Sequence, residues 1–344
     1  MNKIERFFAT IERQPVDRPA SWLGIPDAKA LPALYAHFGV KNMFELKAVI
    51  DDDVYPVEMP YHSSTSNAIY AAFDFAKKGS VPLAERTLTA PGYFEDYHEV
   101  SDVAEFPWPD PAKNIDPAEC LKAVSEVPGG NVVMGVIWSA HFQDACAAFG
   151  MEEALMRMML EPEMFQAVID RIADFYLEAN EIFYKATQGK LHAVLIGNDL
   201  GSQCGLMIDP DSIRQFVLPG TRKLIEQAKS YGLKVIHHSC GSIYDIIPDL
   251  IEVGVDVIHP IQALAAKMEP GRLSEHFSQQ VSFCGGVDAQ QLLVNGNPGE
   301  VRAKVKELRS IFPTGLIISP SHEAILADIP PANIQALFEE VHRA

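Results

Sequence analysis

The chain has little positive charge. Its 344 residues include 28 Lys and Arg against 46 Asp and Glu, which gives a formal net charge of −18. Proteins that bind nucleic acids or anionic membranes do so through an excess of basic side chains. We therefore expect neither a nucleic acid nor a membrane as a partner.

Cysteine and long apolar runs are also scarce. The five cysteines are widely spaced and odd in number, which is typical of a reducing compartment rather than of a disulfide framework. No stretch of the sequence reaches the roughly 18 uncharged apolar residues that a membrane helix needs. The first residues interleave charges with apolar side chains, unlike a signal peptide. These features predict a cytoplasmic protein.

From about residue 130 onward, short apolar runs alternate with amphipathic helices, a pattern typical of a parallel sheet covered by helices. Strands are predicted at 131–139, 192–198, 233–238, 255–259, 280–285 and 315–319, and weaker ones at 20–24 and 54–59. Eight parallel strands close a barrel. We predict an α/β fold, a single (β/α)8 TIM barrel over residues 1–344 with an elaborated N-terminal third. A doubly wound sheet is the main alternative.

Three helices stand out between the strands. Apolar residues at helical spacing predict one helix over 161–189 and another that follows Asn297 as N-cap and Pro298 in the first turn. A third is predicted over 209–232. It must bend near Pro219, because proline has no backbone N–H to donate.

Histidine, cysteine and carboxylate side chains follow the C-terminal ends of the predicted strands. In a barrel of this type the active site lies at those C-terminal ends. Residues two apart on an extended chain point the same way, so His238 and Cys240 can bind one ion, whereas His237 points to the other face. His322 follows another strand and is the expected third ligand. Three ligands leave a fourth zinc position open, as in catalytic sites. The alternative for each histidine is a hydrogen-bonded strand end without metal.

Several segments carry a resemblance to a known superfamily. They are 198–203, 232–243, 251–262 and the tail from Pro320-Ser-His-Glu through 328–333, together with an opening at 12–18. These segments resemble the uroporphyrinogen decarboxylase superfamily, and the resemblance covers almost the whole chain. It implies a (β/α)8 barrel. It also implies one of two activities: cofactor-free decarboxylation of tetrapyrroles, or zinc-dependent methyl exchange with corrinoid proteins.

The motifs favour the methyltransferase branch. Its members carry His-x-Cys and a later cysteine as zinc ligands; His238 and Cys240 match the first pair, and His322 stands where the later cysteine is expected. The decarboxylases also have a histidine there, but their N-terminal Arg-Gln-Ala-Gly-Arg motif is replaced by 22–27, Trp-Leu-Gly-Ile-Pro-Asp. A tetrapyrrole with many carboxylates needs Arg or Lys partners, and the late strand-end segments contain none.

The resemblance therefore implies an enzyme that uses Zn²⁺ and a corrinoid (methylcobalamin). The corrinoid is expected on a separate protein, because the chain has no Asp-x-His-x-x-Gly motif. The expected substrate is a small methyl donor, such as a methoxylated aromatic, or a thiol acceptor. The alternatives are a decarboxylase of a tetrapyrrole such as uroporphyrinogen and a non-catalytic, corrinoid-handling zinc protein.

Zinc held by one thiolate and two imidazoles keeps a charge near +1, which suits a Lewis acid towards an ether oxygen or a bound thiol. Further strand-end residues are candidates for catalytic roles in this chemistry. Asp199 and Gln203 are candidates for orienting substrate or handling a proton, and His259, Gln262 and Asp288 for supporting hydrogen bonds. For Asp199 and Asp288 the alternative is a turn or helix cap.

Overall fold

The fold is built on a seven-stranded parallel sheet. The computed structural model describes residues 1–77 and 87–343. The strand order is the chain order, from β2 to β8, and every neighbouring pair is parallel. The strands are β2 Val54–Glu58, β3 Val132–Trp138, β4 Ala193–Gly197, β5 Lys234–His238, β6 Val257–Ile261, β7 Ser282–Val287 and β8 Leu316–Pro320. Seven of the eight predicted strands are therefore present.

The eighth predicted strand, at 20–24, takes its place in the barrel without forming a regular strand. Ser21 makes an isolated parallel bridge to Ile318 of β8. The Trp22 N–H donates to the Ile318 carbonyl at 3.1 Å, and the Ile318 N–H donates to the Ala20 carbonyl at 2.8 Å. The barrel prediction is confirmed. The prediction of a regular strand at 20–24 is wrong, because this segment pairs with β8 only through an isolated bridge.

On its other side, this segment is held by side chains that precede β2. The Asp53 N–H donates to the Ser21 carbonyl at 2.9 Å. In return, the Ser21 and Leu23 N–H groups donate to the carboxylates of Asp53 and Asp52 at 2.9 and 2.7 Å. Because carboxylates take the Ser21 and Leu23 N–H groups that a backbone ladder would use, the seam before β2 is closed by one backbone bond and by two side chains.

The helices cover the outside of the barrel, as the alternating pattern predicts. They are α1 Lys3–Ile11, α2 Leu31–Phe38, α3 Met43–Ile50, α4 Pro111–Asn114, α5 Pro117–Ser125, α6 His141–Phe149, α7 Met151–Leu160, α8 Pro162–Ala186, α9 Pro210–Ser212, α10 Leu218–Ser230, α11 Ile247–Glu252, α12 Pro270–Phe277, α13 Leu292–Asn295, α14 Pro298–Ile311 and α15 Pro331–Val341. Short 3₁₀ turns lie at Ile69–Ala71, Val100–Glu105 and Tyr244–Ile246. None of the helices in the described part of the chain has the length and apolar character needed to cross a membrane.

All three helix predictions are confirmed. Helix α8 lies within 161–189, and α14 begins with a capping box in which Asn297 and Glu300 satisfy each other's backbone N–H groups. The helix over 209–232 is interrupted near Pro219, as expected: a π-helical turn, Ile213–Val217, separates α9 from α10, and Pro219 is the second residue of α10.

Two apolar layers follow from the alternation of side chains along the strands. The barrel interior contains Val132, Met134, Leu195, Ile236 and Ile317, closed at one end by Phe7 and Ile11 of α1. The alternate residues, such as Val194 and Val235, belong to the larger layer between sheet and helices.

At the mouth of the barrel lies a further pair of parallel strands, β1 Ile25–Pro26 and β9 Ala324–Ile325. The sequence patterns did not predict this pair.

Candidate metal centre at the barrel mouth

The end of β5 brings an imidazole and a thiol together. The Cys240 Sγ lies 3.4 Å from the His238 Nε2. His238 shares its face of β5 with Ile236, so it lies at the top of the barrel interior and is only 6% exposed. His237 is fully buried on the opposite face, and neither of its ring nitrogens has a hydrogen-bond partner among the described residues. The alternation rule therefore selects the histidine that meets the cysteine.

Asp199, two residues beyond β4, joins this pair. Its Oδ1 lies 3.3 Å from the His238 Nε2 and accepts the Cys240 backbone N–H at 2.8 Å. The ligand atoms of Asp199, His238 and Cys240 all lie within 4.8 Å of one another. Asp199 is thus a neighbour of the predicted metal pair, and its side chain links the ends of β4 and β5.

The other nitrogen of His238 faces a second group. Its Nδ1 lies 2.9 Å from the His259 Nδ1 at the middle of β6 and 3.4 Å from the Glu323 Oε2. Sequence reasoning missed a role for Glu323, because neighbours on an extended chain face opposite ways and His322 was the expected ligand. After β8 the chain bends over 321–323, so strand alternation no longer applies there.

His322 lies beside the cluster and is more exposed than His238, about as much as Asp199. Its Nδ1 accepts the Ala324 backbone N–H at 3.0 Å, its side chain is 41% exposed, and its ring centroid is 6.3 Å from that of His238. A hydrogen bond with the Cys240 thiol raises the pKa of His322. The structure therefore brings His322 to Cys240.

The cluster is strongly polarised. Burial by itself would lower the pKa of His238, but hydrogen bonds with Asp199 and Cys240 and the charge of Glu323 raise it well above its usual value. Burial would raise the pKa of Cys240, but hydrogen bonds with His238 and His322 lower it overall. The site thus favours a thiolate, which is the form of cysteine that binds metals.

His237 and His259, on either side of His238, stay neutral. Burial lowers the pKa of His259 well below its usual value and that of His237 to about 3. A neutral His259 has one protonated and one free nitrogen, so a single proton joins its Nδ1 to that of His238. His259 can therefore orient the His238 ring while the Nε2 of that ring faces Cys240.

The remaining predicted site residues have different positions. The Gln262 side-chain oxygen accepts the Gly241 N–H at 2.7 Å and so fixes the turn after Cys240. Gln203 is exposed, and its backbone carbonyl accepts the Ala266 N–H at 2.9 Å. The Asp288 carboxylate accepts the backbone N–H groups of residues 290, 291 and 292. Asp288 therefore has the geometry of the cap that was its alternative interpretation.

The turns after β4 and β5 touch backbone to backbone. A Cβ atom on Gly201 would lie 2.7 Å from the Ser242 nitrogen, and one on Gly241 would lie 2.5 Å from the Gly201 carbonyl carbon. Gly241 also has a φ of +78°, which disfavours any other residue. Glycine at both positions lets the two turns pack closely, and Asp199 and Cys240 stay in contact.

A cavity of about 440 Å³ opens beside the cluster. Its wall contains three carboxylates, two aromatic rings and no Lys or Arg among the described residues; the lining is Ile25, Pro26, Asp27, Glu58, Tyr70, Trp138, Ala140, Glu323 and Ala324. The Trp138 ring lies edge-on to His238, with centroids 5.7 Å apart. Glu323 belongs to both the cavity wall and the histidine cluster.

Comparisons with known proteins agree with this architecture. The sequence model of the uroporphyrinogen decarboxylase (URO-D) family matches residues 75–344, so the chain belongs to that family. It is 23% identical to a uroporphyrinogen decarboxylase of Geobacter metallireducens, over 98% of each chain. Its fold is similar to that of a methyltransferase from Methanosarcina mazei, with a TM-score of 0.69, 16% identity, and coverage of 99% of this chain and 98% of that one.

The side chains at the mouth fit a zinc ion. Zinc in proteins is bound by thiolate, imidazole and carboxylate groups, and Cys240, His238 and Asp199 supply one of each within 4.8 Å. The Nδ1 of His238 faces away from Cys240 and Asp199 and contacts His259 and Glu323. The second nitrogen of a metal-bound histidine usually has such partners.

Proposed function

We propose that the chain is a zinc-dependent methyltransferase that moves a methyl group between a small donor or thiol acceptor and the cobalt of a separate corrinoid protein. The observation that carries the proposal is the Cys240 thiol placed 3.4 Å from His238 at the barrel mouth. Membership of the URO-D family and a fold similar to that of a methyltransferase support it. A decarboxylase needs no thiolate at this place.

Each part of the site has a task in this proposal. His238 and Cys240 hold the metal, with His322 beside them, and His259 and Glu323 fix the His238 ring. Bound zinc supplies a Lewis acid for the leaving oxygen or for a thiol. Trp138 and Tyr70 offer flat apolar contacts for a small organic substrate, such as a methoxylated aromatic, in the neighbouring cavity.

Decarboxylation of a tetrapyrrole acid is the second candidate, because the Geobacter relative bears that name. The charge of the cavity opposes it. Uroporphyrinogen-like substrates carry many carboxylates, which need Arg or Lys partners. Asp27, Glu58 and Glu323 would instead repel them. The cavity therefore favours substrates without negative charge.

The test uses purified protein, cob(I)alamin and a panel of methyl donors that includes methoxylated aromatics. We expect methylcobalamin to form in the visible spectrum, one zinc per chain, and loss of both in Cys240→Ala. Cys204→Ala is the matched control, because Cys204 is an exposed cysteine in a neighbouring turn. No methylcobalamin with any donor, together with carbon dioxide release from uroporphyrinogen, would establish the decarboxylase instead.

A further inference from the structure

The sequence predicts His238, Cys240 and His322 as the zinc ligands, but the side chains are arranged around a different third donor. We infer that Asp199 is a metal ligand, and that the metal lies between the ends of β4 and β5, held by Asp199, His238 and Cys240. This inference rests on the proposed zinc chemistry and deepens it. It names the third protein ligand, and it gives His322 the role of contacting the reactant rather than the metal.

The spacing of the donor atoms supports this set. Zinc bonds are about 2.0–2.1 Å to nitrogen, 2.3 Å to sulfur and 2.0–2.2 Å to oxygen, in tetrahedral geometry. Two ligands at the tetrahedral angle are then about 3.5 Å apart for nitrogen and sulfur and about 3.3 Å apart for nitrogen and oxygen. The observed separations from the His238 Nε2 are 3.4 Å to Cys240 Sγ and 3.3 Å to Asp199 Oδ1. Both separations from His238 therefore match those of ligands on one zinc ion, and the third pair of donor atoms lies within 4.8 Å.

The second group of possible ligands fits less well. Two zinc-bound nitrogens lie about 3.3 Å apart, whereas the Nδ1 atoms of His238 and His259 are 2.9 Å apart, the length of a hydrogen bond. This side of His238 therefore shares a proton with His259. Its Nε2 is left for the metal, on the side of Asp199 and Cys240.

His322 is held for another purpose. Its Nδ1 already accepts the Ala324 N–H, and its ring is partly exposed next to Cys240. Only its second nitrogen remains, and this nitrogen faces the Cys240 thiol, where a reactant would bind. As a neighbour of the thiolate, His322 can donate a hydrogen bond to a bound oxygen or sulfur without itself holding the ion.

The charge of the centre changes with this assignment. One thiolate and two imidazoles leave a Zn²⁺ centre at +1, but a thiolate, a carboxylate and one imidazole make it neutral. One of four positions remains for a reactant. A neutral centre attracts a thiol or an ether more weakly than a centre of charge +1 does. The choice of substrate therefore depends more on the shape and polarity of the cavity.

Asp199 could also act only by accepting the Cys240 N–H, and two substitutions separate these roles. Asp199→Asn keeps an oxygen in the same place to accept that N–H, but removes the charge that a zinc ligand needs. Asp199→Ala removes both. His322→Ala tests the competing ligand, and Gln203→Ala is the control in the same turn. Circular dichroism of each variant verifies that it is folded, and Asp199→Asn remains usable if Asp199→Ala is not.

The readouts are zinc affinity, measured by competition with a chromophoric chelator, and the visible spectrum of the Co²⁺-substituted protein. We expect Asp199→Asn to weaken zinc binding by more than about 100-fold, beyond the usual effect of a residue that only orients a ligand. Its Co²⁺ bands should shift while the Cys240 charge-transfer band remains. His322→Ala should change affinity by less than about 10-fold, and Gln203→Ala should not change it.

Two results would overturn the inference. One is Asp199→Asn with wild-type zinc affinity and an unchanged Co²⁺ spectrum, which would reduce Asp199 to a backbone partner. The other is loss of zinc in His322→Ala with zinc retained in Asp199→Asn, which would restore His322 as the third ligand. In both cases the wild type still binds zinc, so the proposed function survives. A wild-type chain that binds no zinc would instead remove both.

Discussion

Replacing Asp53 by alanine should open the seam of the barrel. The Asp53 side chain is fully buried and accepts hydrogen bonds from the Arg6 and Arg18 guanidinium groups, at 2.6 and 2.8 Å, and from the Ser21 backbone N–H, at 2.9 Å. Without it, two largely buried arginines lose a carboxylate and the segment at 20–22 loses its anchor to β2. The backbone contributes the bond from the Asp53 N–H to the Ser21 carbonyl, and the Asp52 carboxylate holds Leu23, so little else replaces the lost carboxylate.

The size of the effect follows from burial. Removing one partner of a buried ion pair costs about 3–5 kcal/mol. Arg6 keeps its pairing with Asp17, so the loss should lie within that range rather than above it. Asp51→Ala is the matched control two residues away. Asp51 is 58% exposed and pairs with Lys3, and an exposed pair contributes at most about 1 kcal/mol.

The assay is urea unfolding of both variants, with hydrogen exchange at the Ser21 and Ile318 amides. We expect Asp53→Ala to lower the unfolding midpoint far more than Asp51→Ala and to speed exchange at both amides. Equal midpoints for the two variants, or unchanged exchange at Ser21, would refute the claim that Asp53 holds the seam.

Two further predictions concern single carboxylates. Asp144 is partly buried, and desolvation of its carboxyl group raises its pKa from 3.8 to about 7 despite a hydrogen bond from the Tyr176 hydroxyl. The folded chain therefore binds this proton more tightly than the unfolded chain, and wild-type stability should fall as the pH rises from about 4 to 7. Relative to the wild type, Asp144→Asn should gain about 2–3 kcal/mol between pH 5 and pH 8 in urea unfolding, and an equal pH dependence of the two proteins would contradict this pKa. Asp288→Ala should cost about 1–2 kcal/mol through the lost cap and leave zinc content and methyl transfer intact. If stability were unchanged and activity lost, Asp288 would be catalytic after all.

Much of the architecture could be predicted because it depends on short-range patterns. Alternating apolar runs and helical spacing predicted the seven regular strands and the three helices α8, α10 and α14. The same alternation selected His238 over His237, since only one of two neighbours on β5 can face the barrel axis. The irregular seam at 20–24 could not be read in this way. Two of its N–H groups donate to the carboxylates of Asp53 and Asp52, whose proximity depends on the closed barrel.

The less predictable parts of the site have a similar cause. Asp199 and Glu323 lie in turns, where side-chain direction is set by neighbouring turns rather than by strand alternation. The run Ser-His-Glu at 321–323 offered a signal, because a carboxylate next to a candidate ligand can support a histidine. Its contact with His238 nevertheless depends on the bend after β8, which the sequence pattern does not indicate.

The glycine contact between the turns after β4 and β5 limits how this enzyme can diversify. Gly201 lies against the backbone of Cys240 and Ser242, and Gly241 lies against the backbone of Gly201 and Ser202, so neither position can accept a larger side chain. New substrate preferences in descendants of this protein should therefore arise across the mouth, at Glu58, Tyr70 and the residues around β1. The wall that holds Cys240 would be inherited unchanged.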